Sequence, residues 1–175
     1  MSTEPSTEPA GVLELRTVDY SHPDAVALIA AVQQVYLERY GGHDSTPVDP
    51  AEFAPPAGLF VVGYVGGEPV VCGGWRLRTE AEPGAPEPGA VGAGDAELKR
   101  MYVVNVARGR GFARRLLAEL ERTATEAGAR RMVLETGVAQ PEAIQLYRSA
   151  GYAPIPKFGV YRDAPGSRCL AKSLA

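Results

Sequence analysis

Apolar residues recur along this chain with two different periods, and the places where the period changes mark its strands and helices. Leu28, Ile29, Val32, Val35, Tyr36 and Tyr40 return every three or four residues, which puts them on one side of a helix over 25–40. Residues 12–18 precede it as an edge strand. Two apolar runs, 58–65 and 70–77, flank Gly66-Gly67, a pair suited to the positive φ angles of a tight hairpin turn. Residues 43–56 read as loop, and 79–95, dense in Pro and Gly, as a mobile connection. A strand over 97–104 leads into a helix whose apolar face is Phe112, Leu116, Leu120 and Ala124, with Ala113 and Leu117 beside them and Gly128 at its end. The next strand, 131–136, reaches its neighbour through that helix, so a right-handed crossover places the two in parallel. A short helix over 141–150 stops at Gly151, and strand-like segments at 152–155 and 168–174 finish the chain. The order β-α-β-β-β-α-β-α-β-β predicts an α/β (α+β) fold, one mixed central sheet with helices on both faces.

Composition narrows the picture. With 175 residues and 45% hydrophobic content, residues 12–175 can bury one core as a single domain. Residues 1–11, in which STEP occurs twice, are too polar to offset their ordering entropy and are expected to form a disordered tail. A net charge of -3 provides no general attraction to nucleic acid, so a polyanion must meet a local patch. Lys99, Arg100, Arg108, Arg110, Arg114 and Arg115 make such a patch, and one phosphate-bearing ligand accounts for it. No aromatic platform accompanies the charge, so no nucleic-acid partner is expected. Cys72 and Cys169 lie in apolar segments without C-x-x-C spacing and read as buried thiols of a reducing compartment. His22 and His43 stand apart, so no metal site is expected. The first residues lack the basic and apolar regions of a signal peptide, and no run approaches the ~18 apolar residues of a membrane span; a cytoplasmic protein without a membrane partner is expected.

The candidate chemistry gathers at Arg108-Gly109-Arg110-Gly111-Phe112-Ala113, where a strand gives way to a helix. Backbone N–H groups at a helix start have no intrahelical partner, and the helix dipole adds about half a positive charge there, so phosphate is stabilised. Glycines let the backbone approach the ligand, and arginines add donors. A nucleotide triphosphatase loop would need Lys followed by Ser or Thr, and a dinucleotide fingerprint a third glycine where Arg114 stands.

The pattern R-x-x-G-x-A over Arg108–Ala113 resembles the acyl-coenzyme A loop of the GCN5-related N-acetyltransferases. A second stretch, Gln140-Pro-Glu-Ala143-Ile-Gln-Leu-Tyr147-Arg-Ser-Ala-Gly151-Tyr152, is similar to that family's N-x-x-A-x-x-L-Y-x-x-x-G-[FY] segment. Asn105 stands where the family commonly has Pro, and Gln140 replaces its usual Asn. The resemblance implies an N-acetyltransferase with acetyl-CoA as cosubstrate. Arg108, Gly109, Arg110, Gly111, Phe112 and Ala113 would take the pyrophosphate, Val103 and Val104 would pair their backbone with pantetheine, and Gln140 would reach it by its amide. Arg114 or Arg115 would reach the 3′-phosphate. A backbone N–H near Val103 or Val104 would polarise the thioester oxygen.

Acyl transfer to an amine needs a base for the ammonium proton and a donor for the leaving thiolate. Glu97, eleven residues before Arg108, has the spacing of the catalytic glutamate in histone-type members and is the first candidate base; a cation-paired strand residue is the alternative reading. Glu135 is the reserve. Tyr147, a phenol with pKa about 10, is the candidate acid and also a coenzyme contact. The resemblance places the acceptor among Tyr36, Tyr40, His43 and Phe158–Tyr161, with Trp75 and Arg76 as further candidates. A small-molecule amine such as an amino acid or polyamine is the expected partner, on a monomer or homodimer. The alternatives are a protein lysine or N-terminus as acceptor, a non-catalytic acyl-CoA-binding module, and a nucleic-acid surface.

Overall fold

The computed structural model describes residues 11–83 and 87–174; the STEP repeats lie outside the described residues. Seven strands form one sheet: β1 (Glu14–Thr17), β2 (Gly58–Val65), β3 (Glu68–Leu77), β4 (Asp95–Val103), β5 (Arg131–Gly137), β6 (Ala153–Pro154) and β7 (Ser167–Ser173). Three helices join them: α1 (Pro23–Tyr40), α2 (Phe112–Glu126) and α3 (Pro141–Ser149). The spatial order is β1-β2-β3-β4-β5-β7-β6, antiparallel except for the β4–β5 pair, whose crossover is α2. The element order expected from the periodicity is the one observed.

Local chemistry sets the boundaries. The Nδ1 of His22 accepts from the Asp24 N–H at 3.1 Å and Pro23 opens the first turn of α1, while Gly41, at φ 78°, closes it in the left-handed region. Gly66 and Gly67 take φ of 58° and 83°, the turn geometry that matches strand twist in a two-residue hairpin.

The sheet carries cores on both faces. Phe112, Leu116, Leu117, Leu120 and Ala124 of α2 pack on Val61, Val71, Trp75, Leu98, Met132 and Leu134, with Tyr147 of α3 beside them. The Trp75 indole donates to Thr123 Oγ1 at 2.9 Å, tying β3 to α2. On the other face Ala25 and Leu28 of α1 pack on Phe60, Val62 and Cys72, with Phe53 closing the layer. A third cluster joins Val91, Val133, Phe158 and Cys169. It anchors the stretch expected to be a mobile connection: Val91 is buried, Glu82 N–H donates to Val91 O at 3.0 Å, and Arg131 reaches the carbonyls of Gly89 and Ala90. The described part of that stretch is therefore held to the sheet, because one apolar residue among the prolines and glycines has a core to enter.

The irregularity that positions the site is in β4. Gly74 stands opposite Lys99 and Cys72 opposite Tyr102, so Arg100 and Met101 share a single partner, Gly73, and Arg100 takes φ 62°. Pairing of β4 with β5 runs from Asp95↔Arg131 only to Glu97↔Val133, although both strands continue. At the closed end Arg131 clasps the fully buried Asp95 carboxylate, Nη2 to Oδ2 at 2.8 Å and Nε to Oδ1 at 3.2 Å. Beyond Glu97 the two strands separate into a cleft.

Leu116 is fully buried where α2 meets the sheet. Leu116→Ala should lower unfolding free energy by about 2–5 kcal/mol in urea titration, with the slope against denaturant unchanged.

Candidate functional site

The cleft between β4 and β5 opens into a cavity of about 390 Å³. Its walls are the end of α1 and the following loop (Tyr36, Tyr40, His43, Asp44), β4 (Leu98, Lys99, Arg100), β5 (Glu135, Thr136, Gly137) and the approach to β7 (Tyr161, Ser167), with Gln140 at the rim. Tyr40 donates to Gln140 Oε1 at 3.2 Å, and Arg39 bonds the Ala139 carbonyl and the Glu142 carboxylate, which fastens α1 to the start of α3. Across the mouth the Tyr161 hydroxyl accepts from Ser45 N–H at 2.7 Å and lies 2.8 Å from Ser45 Oγ, joining the two covering loops.

The bulge turns both Lys99 and Arg100 toward Asp44. Lys99 Nζ lies 3.1 Å from Asp44 Oδ2, and Arg100 Nη1 bonds the same oxygen. Asp44 is placed by Gln33, which accepts from its N–H at 2.8 Å. Lys99 and bonds from Thr46 outweigh burial and hold the Asp44 carboxyl well below the usual carboxylate range.

The two candidate bases part company. Glu97 is buried on the α1 side, with Oε2 at 3.2 Å from Arg76 Nε and 3.3 Å from Arg78 Nη1, and it is not among the residues lining the cavity. Strand alternation, with Arg76 directly opposite, dictates that pairing. Arg76 itself is spent on Glu97, Glu52 and the Pro47 carbonyl and does not face the acceptor space. Glu135 does line the cavity. Burial raises its pKa from 4.5 to about 7, against the attraction of Lys99 and with repulsion from Asp44 and Glu97 added.

Tyr147 sits in the α2-side core, its ring 5.7 Å from that of Tyr152 and edge-on to it. Burial, with Tyr36 adding to it, lifts its phenol above the ordinary value. Trp75 also belongs to the α2 side, and Phe158 to the third core, so neither reaches the acceptor space; Tyr36, Tyr40, His43 and Tyr161 do.

The glycine turn lies at the other end of the cleft. Gly109 and Gly111 take φ of 77° and 78°, and a Cβ at either would meet nothing within 4 Å, so the turn is open to a ligand. Gly111 caps α2 without a side-chain bond, which leaves the N–H groups of its first turn directed outward. Arg108 Nε donates to Val103 O at 3.1 Å, and Arg110 lies over the Phe112 ring. Val104 N–H is already used by Val70 O at 2.9 Å, so by strand alternation Val103 is the residue of the pair whose N–H faces the cleft. An open strand edge leading from an open anion turn fits an extended pantetheine chain with a pyrophosphate at its end.

The basic patch divides accordingly. Lys99 and Arg100 belong to the cavity, while Arg114 is bonded to Ser149 Oγ at 2.7 Å and Arg115 lies 3.5 Å from the Leu13 carbonyl. Asp44, Thr136 and Ser167 were not legible as site residues; each lies in a stretch whose pattern speaks only of loop or strand. Among the described residues there is no group of three or more His, Cys, Asp or Glu placed to hold a metal ion, and no helix is long and apolar enough to cross a membrane.

Comparison with known proteins identifies the family and the fold. The acetyltransferase (GNAT) family model matches residues 25–152. An IAA acetyltransferase of Azospirillum brasilense is 34% identical over 149 residues, 85% of this chain and 90% of that protein. A Klebsiella pneumoniae structure assigned as an acyl-CoA N-acyltransferase superposes with TM-score 0.72 at 27% identity, covering 93% of this chain and 98% of the other. A GNAT-family acetyltransferase of Staphylococcus aureus shares the fold with TM-score 0.70 at 16% identity, over 94% of this chain and 100% of its own. The chain belongs to the GNAT family and is an acyl-CoA-dependent N-acetyltransferase, of a family whose cosubstrate is acetyl-CoA.

Proposed function

We propose that this enzyme moves an acetyl group directly from acetyl-CoA to the primary amine of a small molecule, both held at once in the cleft between β4 and β5. The observation that carries the reading is that β4, unpaired with β5 after Glu97, runs from the cavity that Glu135 lines toward the open glycine turn. The size of the cavity, about 390 Å³, and the Azospirillum relative, named an IAA acetyltransferase, both support a small acceptor over a protein one. Cys72 and Cys169 are free and buried, which suits a reducing cytoplasm.

Bound acetyl-CoA supplies the thioester, whose C–S bond is exchanged for an amide C–N bond while one amine proton goes to a base and another to the thiolate sulfur. Arg108 to Ala113 and the first-turn N–H groups of α2 hold the pyrophosphate. Val103 offers its N–H to the pantetheine or to the thioester oxygen. Glu135 takes the amine proton: it faces the acceptor space, and a carboxylate with pKa about 7 is matched to neutral operation. Glu97, the first candidate from spacing, is assigned a structural role instead, because two guanidiniums occupy it outside the cavity. Tyr147, which keeps its proton throughout the working range, serves as hydrogen-bond donor to the departing thiolate.

Glu135→Gln should lower kcat/KM for acetyl transfer by about 10²–10⁴-fold. In the parent enzyme the rate should rise with pH around a midpoint near 7, the pKa at which the base becomes ionised, and the variant should lose that limb. A thiol-release assay across pH 5.5–9 decides it; an unchanged profile assigns the base elsewhere. Tyr147→Phe should reduce kcat by about 10²-fold at saturating acetyl-CoA, with coenzyme affinity little changed; full turnover removes the tyrosine from the chemistry.

Stability separates the two glutamates further. The folded-state pKa of Glu135 lies above 4.5, so the ionised form is disfavoured by folding and its penalty grows as pH rises from about 4.5 to about 7. Glu135→Gln should therefore gain Tm relative to the parent over that window. Glu97→Gln should lose about 3 kcal/mol near neutral pH, since Arg76 and Arg78 lose the buried carboxylate they share and only the more exposed Glu52 remains to Arg76. Paired thermal melts at pH 5 and 8 check both signs.

A further inference from the structure

In the cavity two cations share one carboxylate, and a second carboxylate has no ion pair within 4 Å among the described residues. Lys99 and Arg100, 9% and 6% exposed, both end on the same atom, Asp44 Oδ2. Asp44 Oδ1 is already occupied by Thr46 N–H at 3.0 Å. Among the described residues no second carboxylate pairs with either cation. Lys99 makes one hydrogen bond with a group that carries three donors, and Arg100 Nε is buried with no acceptor. Ser167 Oγ is buried with no hydrogen bond of full geometry and stands beside the Glu135 carboxylate. Glu135 lines the same space and has no ion pair within 4 Å among the described residues; its side-chain neighbours are Ser167 and, at 3.9 Å, Cys169 Sγ. Two positive groups thus face one committed negative group, and a further carboxylate stands apart from them.

Charges removed from water need partners, and unspent donors in a buried site are a vacancy for an acceptor atom. Resting on the acetyl-transfer reading above, we infer that the acceptor is a free amino acid, its carboxylate seated on Lys99 and Arg100, and its ammonium facing Glu135. Such a zwitterion completes both pairs at once and leaves no net charge in the cavity. It also points the amine at the base that takes its proton. A polyamine does the opposite, bringing a second ammonium against Lys99 and Arg100 with nothing to offset the repulsion. A neutral alkylamine leaves the lysine donors unanswered. The same pair of cations discriminates against the primary amide of an amino acid, which keeps the amine and the size but lacks the charge.

The test is a thiol-release assay with acetyl-CoA and matched acceptors: common L-amino acids, their primary amides, the corresponding decarboxylated amines, and putrescine. Amino acids should exceed their amides in kcat/KM by about 10–100-fold, the range of a hydrogen bond to a charged group. Lys99→Met should bring that ratio close to one, mainly through KM for the amino acid, while Lys99→Arg, which keeps the charge, should retain most of it. A circular dichroism melt of each variant establishes that the ratio is read on folded protein. Amides, decarboxylated amines or putrescine turning over as well as amino acids would overturn the inference and leave acetyl transfer standing, as would a preference that survives Lys99→Met. Silence across the whole panel, with coenzyme A still raising Tm, would overturn the acetyl-transfer reading and this inference with it.

Discussion

A strand pair that stops pairing before its strands end must leave backbone donors and acceptors unspent, and the rest of this molecule is arranged around that opening. The extra residue in β4 forces Arg100 into a left-handed conformation and turns the strand away from β5 after Glu97. Below the opening, the Asp95–Arg131 clasp keeps the two strands together. The opening therefore has a fixed closed end and a fixed mouth, with α2 packed beneath and α1 above. An exposed edge in a central position would ordinarily invite aggregation; here the end of α1 and the two loops joined at Tyr161 stand over it and bound a cavity of about 390 Å³.

The bulge also decides the electrostatics. Regular alternation would put Lys99 and Arg100 on opposite faces of the sheet. With the extra residue both reach Asp44, and a loop residue far away in sequence becomes part of the site. The contrast between Glu97 and Glu135 has the same origin. Glu97 lies in the last paired row of β4, opposite Arg76, and is neutralised there. Glu135 lies past the last row in which β5 pairs with β4, with no cation among the described residues close enough to pair with it, and burial drives its pKa upward. Identical side chains on neighbouring strands thus acquire different chemistry from which side of the divergence they occupy.

The linear pattern carried a great deal of this. Periodicity located every helix and the β2–β3 hairpin, because helix and strand faces are set by neighbours in sequence. The glycine turn was legible as an anion cradle for the same reason: positive φ at Gly109 and Gly111 and free N–H groups at the start of α2 are local properties. Spacing was less secure when it had to speak for a side chain's surroundings. It favoured Glu97 over Glu135, paired Val103 with Val104 as equivalent donors, and aimed Trp75 and Arg76 at the acceptor. Each of those depends on which face a residue takes and what stands across from it. The β6 strand is shorter than its pattern, two residues where four were expected, since β7 offers it a partner over only that length.

From residue order alone came the fold class, the sequence of elements and the place where a phosphate would rest, all of which follow from hydrogen bonding and burial within short stretches of chain. Which carboxylate is free, which cations share Asp44 and which amide of β4 remains open were decided by packing between segments distant in sequence. Charge and desolvation act through space, and a one-residue bulge changes every neighbour beyond it.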